Sequence, residues 1–243
     1  MYEARTIYDK RFSTSDVEIV SFAEGEWSAT SEYDDLVNRV WKQKESVAIK
    51  DGAAIWDGMY YRVANLHEIE ESGKLCFKLG TVPYRYIATA PDLEDAFINN
   101  KFEPLFHLST AAMIRTADGA YIFGKRSRNG LLDVIGGGAQ KDELAIKEGI
   151  DLERNLRKEM LEETGIQEPH IESVQGIGIV HSVTTNIIFI SLVQLNISQP
   201  QMGDIFKNRL EDEMLDLVYV SENEVKNFLR RMPSYRPLIV DLL

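Results

Sequence analysis

Along the first hundred residues, the spacing of the apolar residues alternates between a helical and a strand-like repeat, and each repeat predicts a helix or a strand. Within residues 32–46 they recur at helical spacing, with Leu36, Val37, Val40 and Trp41 on one stripe. Shorter apolar runs of strand type lie around this helix at residues 17–20, 60–64 and 74–79, and a short helix is expected to begin at Pro91. Because no Pro- or Gly-rich linker interrupts this pattern, residues 1–104 are predicted to form an α+β extension or small domain.

From residue 105 onward, strand-like and helical segments follow one another more regularly. Asp118-Gly119 and Asn129-Gly130 are turn signals, and Ser221 with Glu224 matches a capping box that opens a helix ending near Arg231. The strand-like runs are residues 106–114, 121–124, 131–135, 177–180, 187–193 and 215–220. This order is typical of an α/β fold in which helices cover both faces of a mixed sheet. Residues 105–243 are therefore predicted to be a second domain, an α/β/α sandwich.

A predicted helix between these strands has three glutamates, Glu159, Glu162 and Glu163, at positions i, i+3 and i+4. They fan over an arc of roughly 100° that overlaps one edge of the helix's apolar face. A surface helix normally places its carboxylates opposite its core face, and like charges at this spacing repel one another. A hard divalent cation would relieve the repulsion. The alternative is a solvated acidic turn that ends at Gly165.

Composition restricts the classes of function. The chain has 243 residues, of which 44% are hydrophobic and 27% charged, as expected for one or two globular domains. A net charge of −12 argues against a general nucleic-acid binder. The single cysteine, Cys76, excludes a disulfide framework within the chain and is expected to be a buried apolar residue. With no long apolar span and no signal peptide at the N-terminus, we expect a cytoplasmic protein without a membrane partner.

The glycine run Ile135-Gly136-Gly137-Gly138 precedes the acidic helix, and together the two segments resemble the Nudix hydrolase superfamily. The second half of the family box, Arg-Glu-aliphatic-x-Glu-Glu-x-Gly-aliphatic, is matched from Lys158 to Ile166, with Lys158 in place of the arginine. The first half departs from the family pattern. Ile150 stands where the box has a glutamate, and the loop after the glycines is longer. The residues that could replace this glutamate are Glu143, Glu148 and Glu153.

The resemblance implies a hydrolase that uses Mg²⁺, or alternatively Mn²⁺, to cleave a nucleoside diphosphate linked to another moiety. It implies Glu159, Glu162 and Glu163 as metal ligands and, with Lys158, as the catalytic set. A later acidic loop offers Glu211 and Glu213, of which we assign Glu213 as a further ligand; the alternative is that both belong to a solvated acidic loop. Candidates for contact with phosphate are Arg126, Arg128 and the backbone at Gly137 and Gly138; the alternatives are a solvated surface for the arginines and a plain turn for the glycines.

A second resemblance, to Nudix enzymes that act as UDP-sugar diphosphatases, covers most of the chain. Its short motifs are Tyr61-Arg62-Val63, Leu79-Gly80-Thr81, Tyr84-Arg85, Arg126-Ser127-Arg128 and Leu132-Asp133-Val134-Ile135-Gly136-Gly137. It implies that a UDP-sugar is hydrolysed to UMP and a sugar 1-phosphate, with Tyr84 and Arg85 lining the nucleotide pocket. The alternative for these two residues, a core tyrosine and an exposed arginine, is favoured. The polar segment at residues 181–186 either selects the sugar or forms a hairpin turn, and the turn is favoured.

Other interpretations stay open at this point. The enzyme could instead cleave ADP-ribose or a dinucleoside polyphosphate. Because the first half of the box is incomplete, the domain could also be a non-catalytic module that binds a nucleotide sugar. The resemblance further implies that a homodimer is possible.

Overall fold

The computed structural model describes residues 4–13, 17–26, 29–50, 55–65, 70–71, 74–93, 95, 105–141, 145–146, 149–182 and 186–243. The helices with described bounds are α1 (Ser31–Lys50), α2 (Tyr84–Thr89), α3 (Leu152–Thr164), α4 (Gln199–Phe206) and α5 (Glu222–Arg230), with 3₁₀ helices at Ala90–Leu93, Glu168–His170 and Arg236–Asp241. Among the described helices, none has the length and apolar character needed to cross a membrane.

The strands are short on average, and most belong to one sheet. They are β1 (Arg5–Tyr8), β2 (Val17–Glu26), β3 (Met59–Asn65), β4 (Glu70–Glu71), β5 (Lys74–Pro83), β6 (His107–Arg115), β7 (Ala120–Arg126), β8 (Leu132–Asp133), β9 (Ile135–Gly138), β10 (Ala145–Ile146), β11 (Gly149–Ile150), β12 (Ile171–His181), β13 (Asn186–Leu195) and β14 (Met214–Ser221).

Twelve of the described strands form a single mixed sheet. Its main order is β1-β12-β13-β6-β3-β5-β2; β7 and β9 also pair with β6, β8 and β14 pair with β7, and β4 pairs with β5. The pairs β13–β6 and β2–β5 are parallel. The other pairs in the sheet are antiparallel, and β10 and β11 form a separate small ribbon. This architecture confirms the predicted mixed α/β fold.

Strand β6 lies between two hydrophobic cores. Its side chains Ala112 and Ile114 pack in a core with the apolar face of α3. The alternate side chains, Ala111 and Met113, belong to a core that includes α5 and the C-terminal 3₁₀ helix. Because successive side chains of a strand point to opposite faces, the two helices cover the two sides of the sheet. The predicted α/β/α sandwich is therefore confirmed.

Residues 1–104 supply strands to the same sheet. Strand β3 meets β6 where Arg62 pairs with His107, and β1 pairs with β12. A further core combines Phe77 from β5 with Phe189 from β13, whose rings meet edge to face at 5.1 Å. Helices α1 and α2 pack over a core of their own. The boundary after residue 104 stays a prediction.

Most predicted elements are present, with wider bounds than the sequence indicated. The run at residues 131–135 is the exception, because it divides into β8 and β9 at Val134. The Asp133 side chain accepts a hydrogen bond from the Val134 N–H at 2.9 Å, so that amide is satisfied locally and not by a neighbouring strand. The helix expected at Pro91 is a 3₁₀ continuation of α2. Helices α2 and α4 and the 3₁₀ helix at Arg236–Asp241 were not predicted.

Gly165 ends α3 in the left-handed conformation, with φ at 78°, and donates its N–H to the Leu161 carbonyl at 2.9 Å. A Cβ on this residue would lie 2.6 Å from the carbonyl oxygen of Ile205. We therefore expect Gly165→Ala to lower the free energy of unfolding by about 1–3 kcal/mol. The matched control is Gly203→Ala in α4, where no atom lies within 4 Å of a Cβ and a gain of about 0.5–1 kcal/mol is expected. Urea denaturation measures both, and effects of equal sign would contradict this account.

Candidate active site

The glycine strand β9 lies against functional side chains because it has none of its own. Gly136 has a φ of 155°, and a Cβ there would overlap the backbone of β6. A Cβ on Gly137 would overlap the carboxyl group of Glu159. A Cβ on Gly138 would lie 2.5 Å from Nε2 of His107. The groups that meet the strand at Gly137 and Gly138 are thus a carboxylate and an imidazole, and the contact of this backbone with phosphate stays a prediction.

Helix α3 is anchored at its start and along its buried face. Asp151 caps the helix by accepting a hydrogen bond from the Arg154 N–H at 2.9 Å. One turn later, the buried Asn155 donates through Nδ2 to Oγ1 of Thr110 at 2.7 Å and to the carbonyl of Gly137 at 3.4 Å. These bonds tie the helix to both β6 and β9. The glutamates of the next two turns are thereby placed beside the glycine strand.

Glu163 is the most deeply buried carboxyl of the site, with only 1% of its surface exposed. Its Oε2 accepts a hydrogen bond from the Gly136 N–H at 3.1 Å, while Oε1 is buried and has no hydrogen-bond partner among the described residues. Burial raises the pKa of this carboxyl to about 9; the charge of Glu213 also raises the pKa, and that of Arg126 opposes it. The group therefore holds a proton at neutral pH unless a cation lies beside it.

Glu159 lies one turn earlier and is also largely buried, with 13% of its side chain exposed. Burial raises the pKa of its carboxyl to about 7, against the opposing charge of Lys158, and the Glu162 charge adds to the rise. The Lys158 ammonium lies 3.2 Å from Oε2 of Glu162 and 3.7 Å from Oε1 of Glu159. Lys158 thus lies within ion-pair distance of two glutamates.

Two guanidinium groups converge on one buried carboxylate beside the glycine strand. Arg126 Nε lies 3.0 Å from Oδ2 of Asp133, and Arg236 contacts Oδ1 of the same residue at 3.0 Å through Nε and 2.5 Å through Nη2. Arg126 also forms an ion pair with Glu213. Arg126, Arg236 and Asp133 together keep one net positive charge, which Glu213 neutralises from the solvent side. Because Glu213 is 47% exposed, an anion from solution could replace it with little rearrangement of the interior.

Two cavities share this arginine cluster. The larger, of about 570 Å³, is also lined by Tyr84, Arg128, Leu131, Pro233 and Glu213, among others. The smaller, of about 190 Å³, is lined by the glycine strand and by polar residues that include His107, Ser109 and Asn186. Arg126, Asp133 and Arg236 line both cavities. A ligand that spans the two would therefore pass over paired positive charges.

Most of the residues predicted for the site are brought together. Gly137, Gly138 and Arg126 line the smaller cavity, and Glu159 and Glu163 lie against its glycine strand. Tyr84, Arg126, Arg128 and Glu213 line the larger cavity.

Arg85 lies apart from this group. Its backbone N–H and its Nη1 donate to the carboxylate of Asp57 at 2.7 and 2.8 Å, and it is not among the residues that line the two cavities. The described residues do not place any of the three candidates for the missing box glutamate in the site. Glu143 and Glu148 lie outside the described residues, and Glu153 forms an ion pair with Arg157 on α3.

Asp133, Arg236 and His107 were not assigned to the site from sequence. In the sequence, Asp133 stands out only as part of a short motif, and His107 has no metal-ligand spacing to another histidine. Arg236 follows Ser234, a non-glycine residue with φ at 64°, in a segment that shows no periodic pattern. A histidine at the start of an apolar strand was the one available signal. Of the polar segment at residues 181–186, residues 183–185 lie outside the described part. Ser182 donates its N–H to the Asn186 carbonyl at 2.9 Å, and β12 pairs antiparallel with β13.

The predicted metal ligands do not all meet at one point among the described residues. Within them, no three His, Cys, Asp or Glu side chains converge on a point that could hold a metal ion. Glu162 is paired with Lys158, and Glu213 is paired with an arginine. Glu159 and Glu163 remain beside the glycine strand, and the unpaired Oε1 of Glu163 is a hard oxygen donor of the kind that Mg²⁺ prefers. These two carboxylates fit a divalent cation, and the full ligand set stays a prediction.

Comparisons with known proteins found similarity among solved structures only. No family model matches the chain, and no curated protein matches it. A Nudix hydrolase from Nitrosomonas europaea is 17% identical and is aligned over 57% of this chain and 86% of its own, with a TM-score of 0.37. A MutT protein from Methanosarcina mazei Go1 is 18% identical, with coverage of 58% and 92% and a TM-score of 0.37.

A larger protein is also similar to part of the chain. This bifunctional NMN adenylyltransferase/ADP ribose pyrophosphatase from Francisella tularensis is 13% identical, with a TM-score of 0.39; the alignment covers 63% of this chain and 45% of that one. At these identities and TM-scores the similarity does not establish the family of the present chain.

The raised pKa of Glu163 makes stability depend on pH. The pKa of this carboxyl is higher in the folded state, at about 9, than in the unfolded state, near 4.3. Its contribution to folding stability is therefore fully present when the pH is below about 4.3 and is lost as the pH rises toward about 9. In EDTA, we expect Glu163→Gln to be more stable than the wild type by roughly 1–3 kcal/mol at pH 8 and to lose this advantage near pH 4. Urea denaturation across this range measures the difference.

The control is Glu153→Gln on the same helix, which loses the ion pair with Arg157 and should show no gain at high pH. A difference between Glu163→Gln and wild type that stays constant from pH 4 to 8 would contradict the burial of an ionisable carboxyl at this position.

Proposed function

We propose that the protein is a divalent-cation-dependent pyrophosphohydrolase of the Nudix type, acting on a nucleoside diphosphate linked to another moiety. The observation that supports this most directly is Glu163. Its carboxyl is buried against the Gly136 N–H of the glycine strand and has one oxygen without a partner among the described residues. The charge of Arg126 acts on it, and Arg126 lines both cavities together with Arg236. Such burial costs folding stability, and a bound cation next to an anionic substrate would offset that cost.

The arginine cluster provides the binding site for phosphate. Arg126 and Arg236 are held in place by Asp133, so they lose little conformational freedom when an anion binds. Guanidinium groups match phosphate oxygens through paired N–H donors. Because Gly137 and Gly138 line the smaller cavity, a diphosphate bound there can also reach the backbone of β9. A substrate bound in this way would bring its scissile phosphoanhydride to the glycine strand against which Glu159 and Glu163 lie.

The carboxylates of α3 would hold the cation and position the attacking water. When bound, Mg²⁺ neutralises charge on the phosphates and acidifies water. The water oxygen forms a bond to phosphorus, the bridging phosphorus–oxygen bond breaks, and the released phosphate leaves with the electron pair. Glu163 is our candidate to accept the water proton, since it is buried and its pKa is responsive to nearby charge. Glu162 can join the ligands if it leaves Lys158.

We infer that the substrate is a UDP-sugar, hydrolysed to UMP and a sugar 1-phosphate. Tyr84 and Leu131 give the larger cavity an aromatic and an apolar wall suited to a planar base, and Arg128 lies at the same cavity. The smaller cavity offers neutral polar groups to a second moiety. ADP-ribose and dinucleoside polyphosphates share the diphosphate and are the alternative substrates.

A second candidate function is a module that binds a nucleotide sugar without cleaving it. The observation that favours it is the pairing of Glu162 with Lys158 and of Glu213 with Arg126, which leaves two carboxylates beside the glycine strand. A binding module needs the arginine cluster and the cavities but not a cation between carboxylates. The two functions therefore differ in their dependence on metal.

Turnover distinguishes them. We expect wild-type protein with Mg²⁺ to release UMP from UDP-glucose, and EDTA to abolish the release, in a panel that includes ADP-ribose, a dinucleoside tetraphosphate and dNTPs. Glu163→Gln and Glu162→Gln should each lower kcat by about 100-fold or more, because each removes a charge near the reacting phosphates. Glu153→Gln, on the same helix, should leave kcat within about twofold.

Cleavage of another panel member alone would keep the enzyme class and contradict the UDP-sugar. Binding of UDP-glucose without any turnover would favour the non-catalytic module. If the single variants Glu162→Gln and Glu163→Gln both keep full activity, the proposed role of α3 is contradicted.

A further inference from the structure

His107 has a buried nitrogen for which the described residues provide no partner. It begins β6 and is 5% exposed, and its Nε2 makes no hydrogen bond within the described part of the chain. The ring lies over Gly138, which has no side chain to meet it, and edge to face with Tyr60 at 5.5 Å. Unpaired buried polar atoms destabilise a folded protein, so they are uncommon where they have no role.

The partners of the other ring nitrogen decide what Nε2 can bind. Nδ1 lies 3.4 Å from Oδ1 of Asn186 and 3.4 Å from Oγ of Ser109. An amide oxygen has no proton to give, so Nδ1 must be the donor in the contact with Asn186. In a neutral ring, Nε2 then has a free lone pair. Burial supports the neutral form, since it lowers the pKa of His107 to about 4.

A lone pair in this position selects its ligand by chemistry. It accepts a hydrogen bond from a hydroxyl or an amide N–H and repels the oxygen of a phosphate or carboxylate. His107, Ser109 and Asn186 all line the smaller cavity, which also contains Arg126 and Arg236. The cavity thus combines a charged group of side chains, suited to phosphate, with a neutral group suited to hydroxyls.

We propose that His107, with Ser109 and Asn186, binds the sugar of a nucleoside diphosphate sugar, and that Nε2 of His107 accepts a hydrogen bond from a sugar hydroxyl. This inference rests on the proposed function and assigns the sugar to the smaller cavity and the nucleoside to the larger one. This assignment predicts selectivity for a nucleoside diphosphate sugar over a nucleoside triphosphate. A third phosphate in place of the sugar would bring an anionic oxygen to the lone pair of His107, so the triphosphate binds more weakly.

His181 provides a matched control within the same sheet. It is also buried, its Nε2 also lacks a partner among the described residues, and burial lowers its pKa to about 4 as well. Its ring packs against Phe106 at 5.3 Å, and it does not line either of the two cavities. Replacing each histidine by phenylalanine keeps the ring and removes the nitrogens. The pair therefore separates contact with a ligand from the general effect of a buried imidazole.

Calorimetric titration with UDP-glucose, UDP and UTP, with Ca²⁺ in place of Mg²⁺, tests the inference. We expect His107→Phe to weaken UDP-glucose binding about tenfold or more while changing UDP binding less than about twofold. His107→Gln, which can still accept a hydrogen bond, should recover part of the loss and guards against misfolding of the first variant. His181→Phe should change the affinity for UDP-glucose and UDP equally.

An equal loss for UDP and UDP-glucose in His107→Phe, or no loss for either, would overturn the assignment of the sugar to His107. Wild-type binding of UTP as tight as that of UDP-glucose would overturn the selectivity. If the wild type binds none of the three nucleotides, the proposed function itself fails, and the inference fails with it. Failure of the proposed function is seen in the wild-type titration alone, whereas failure of the inference is seen in the variants of a wild type that binds.

Discussion

The close approach of α3 to the glycine strand is the constraint on which the site depends. Asn155 holds the helix to β6 and β9, and the glycines leave no side chain between the helix and the strand backbone. Glu163 consequently enters a space from which water is nearly excluded, where its ionised form is costly. The folded protein therefore holds two poorly solvated carboxyl groups, those of Glu159 and Glu163, beside the same strand. This is the pattern expected where stability is exchanged for binding or catalysis.

The charges around these carboxyls oppose one another in a way that favours joint binding. Arg126 stabilises the ionised form of Glu163, and Glu213 destabilises it. A phosphate bound to the arginine cluster alone would add negative charge near Glu163, and a cation bound to Glu163 alone would add positive charge near Arg126. Bound together, the two charges compensate, so each should increase the affinity for the other. A chain with a net charge of −12 can thereby bind an anionic nucleotide in a local cationic region.

Local pattern was enough to predict the helix, the glycine run and the partial burial of the acidic arc. The i, i+3, i+4 spacing placed Glu159 and Glu163 at the edge of an apolar face, and their exposure agrees with that placement. Contacts between distant segments were not predictable in this way. Arg236 reaches Asp133 across about a hundred positions from a 3₁₀ helix without periodicity, and the pairing of Glu213 with Arg126 depends on how β7 and β14 align.

The central claim is that Glu159 and Glu163 are buried carboxyls that ionise fully only beside a cation. Carbon NMR of the labelled glutamate carboxyl groups, followed over pH with EDTA and then with Mg²⁺, tests it most directly. The account predicts that Glu159 titrates near pH 7 and Glu163 near pH 9 in EDTA, and that Mg²⁺ lowers both midpoints by at least about one unit. Midpoints near the value of a free glutamate in EDTA, or midpoints that do not respond to Mg²⁺, would contradict it.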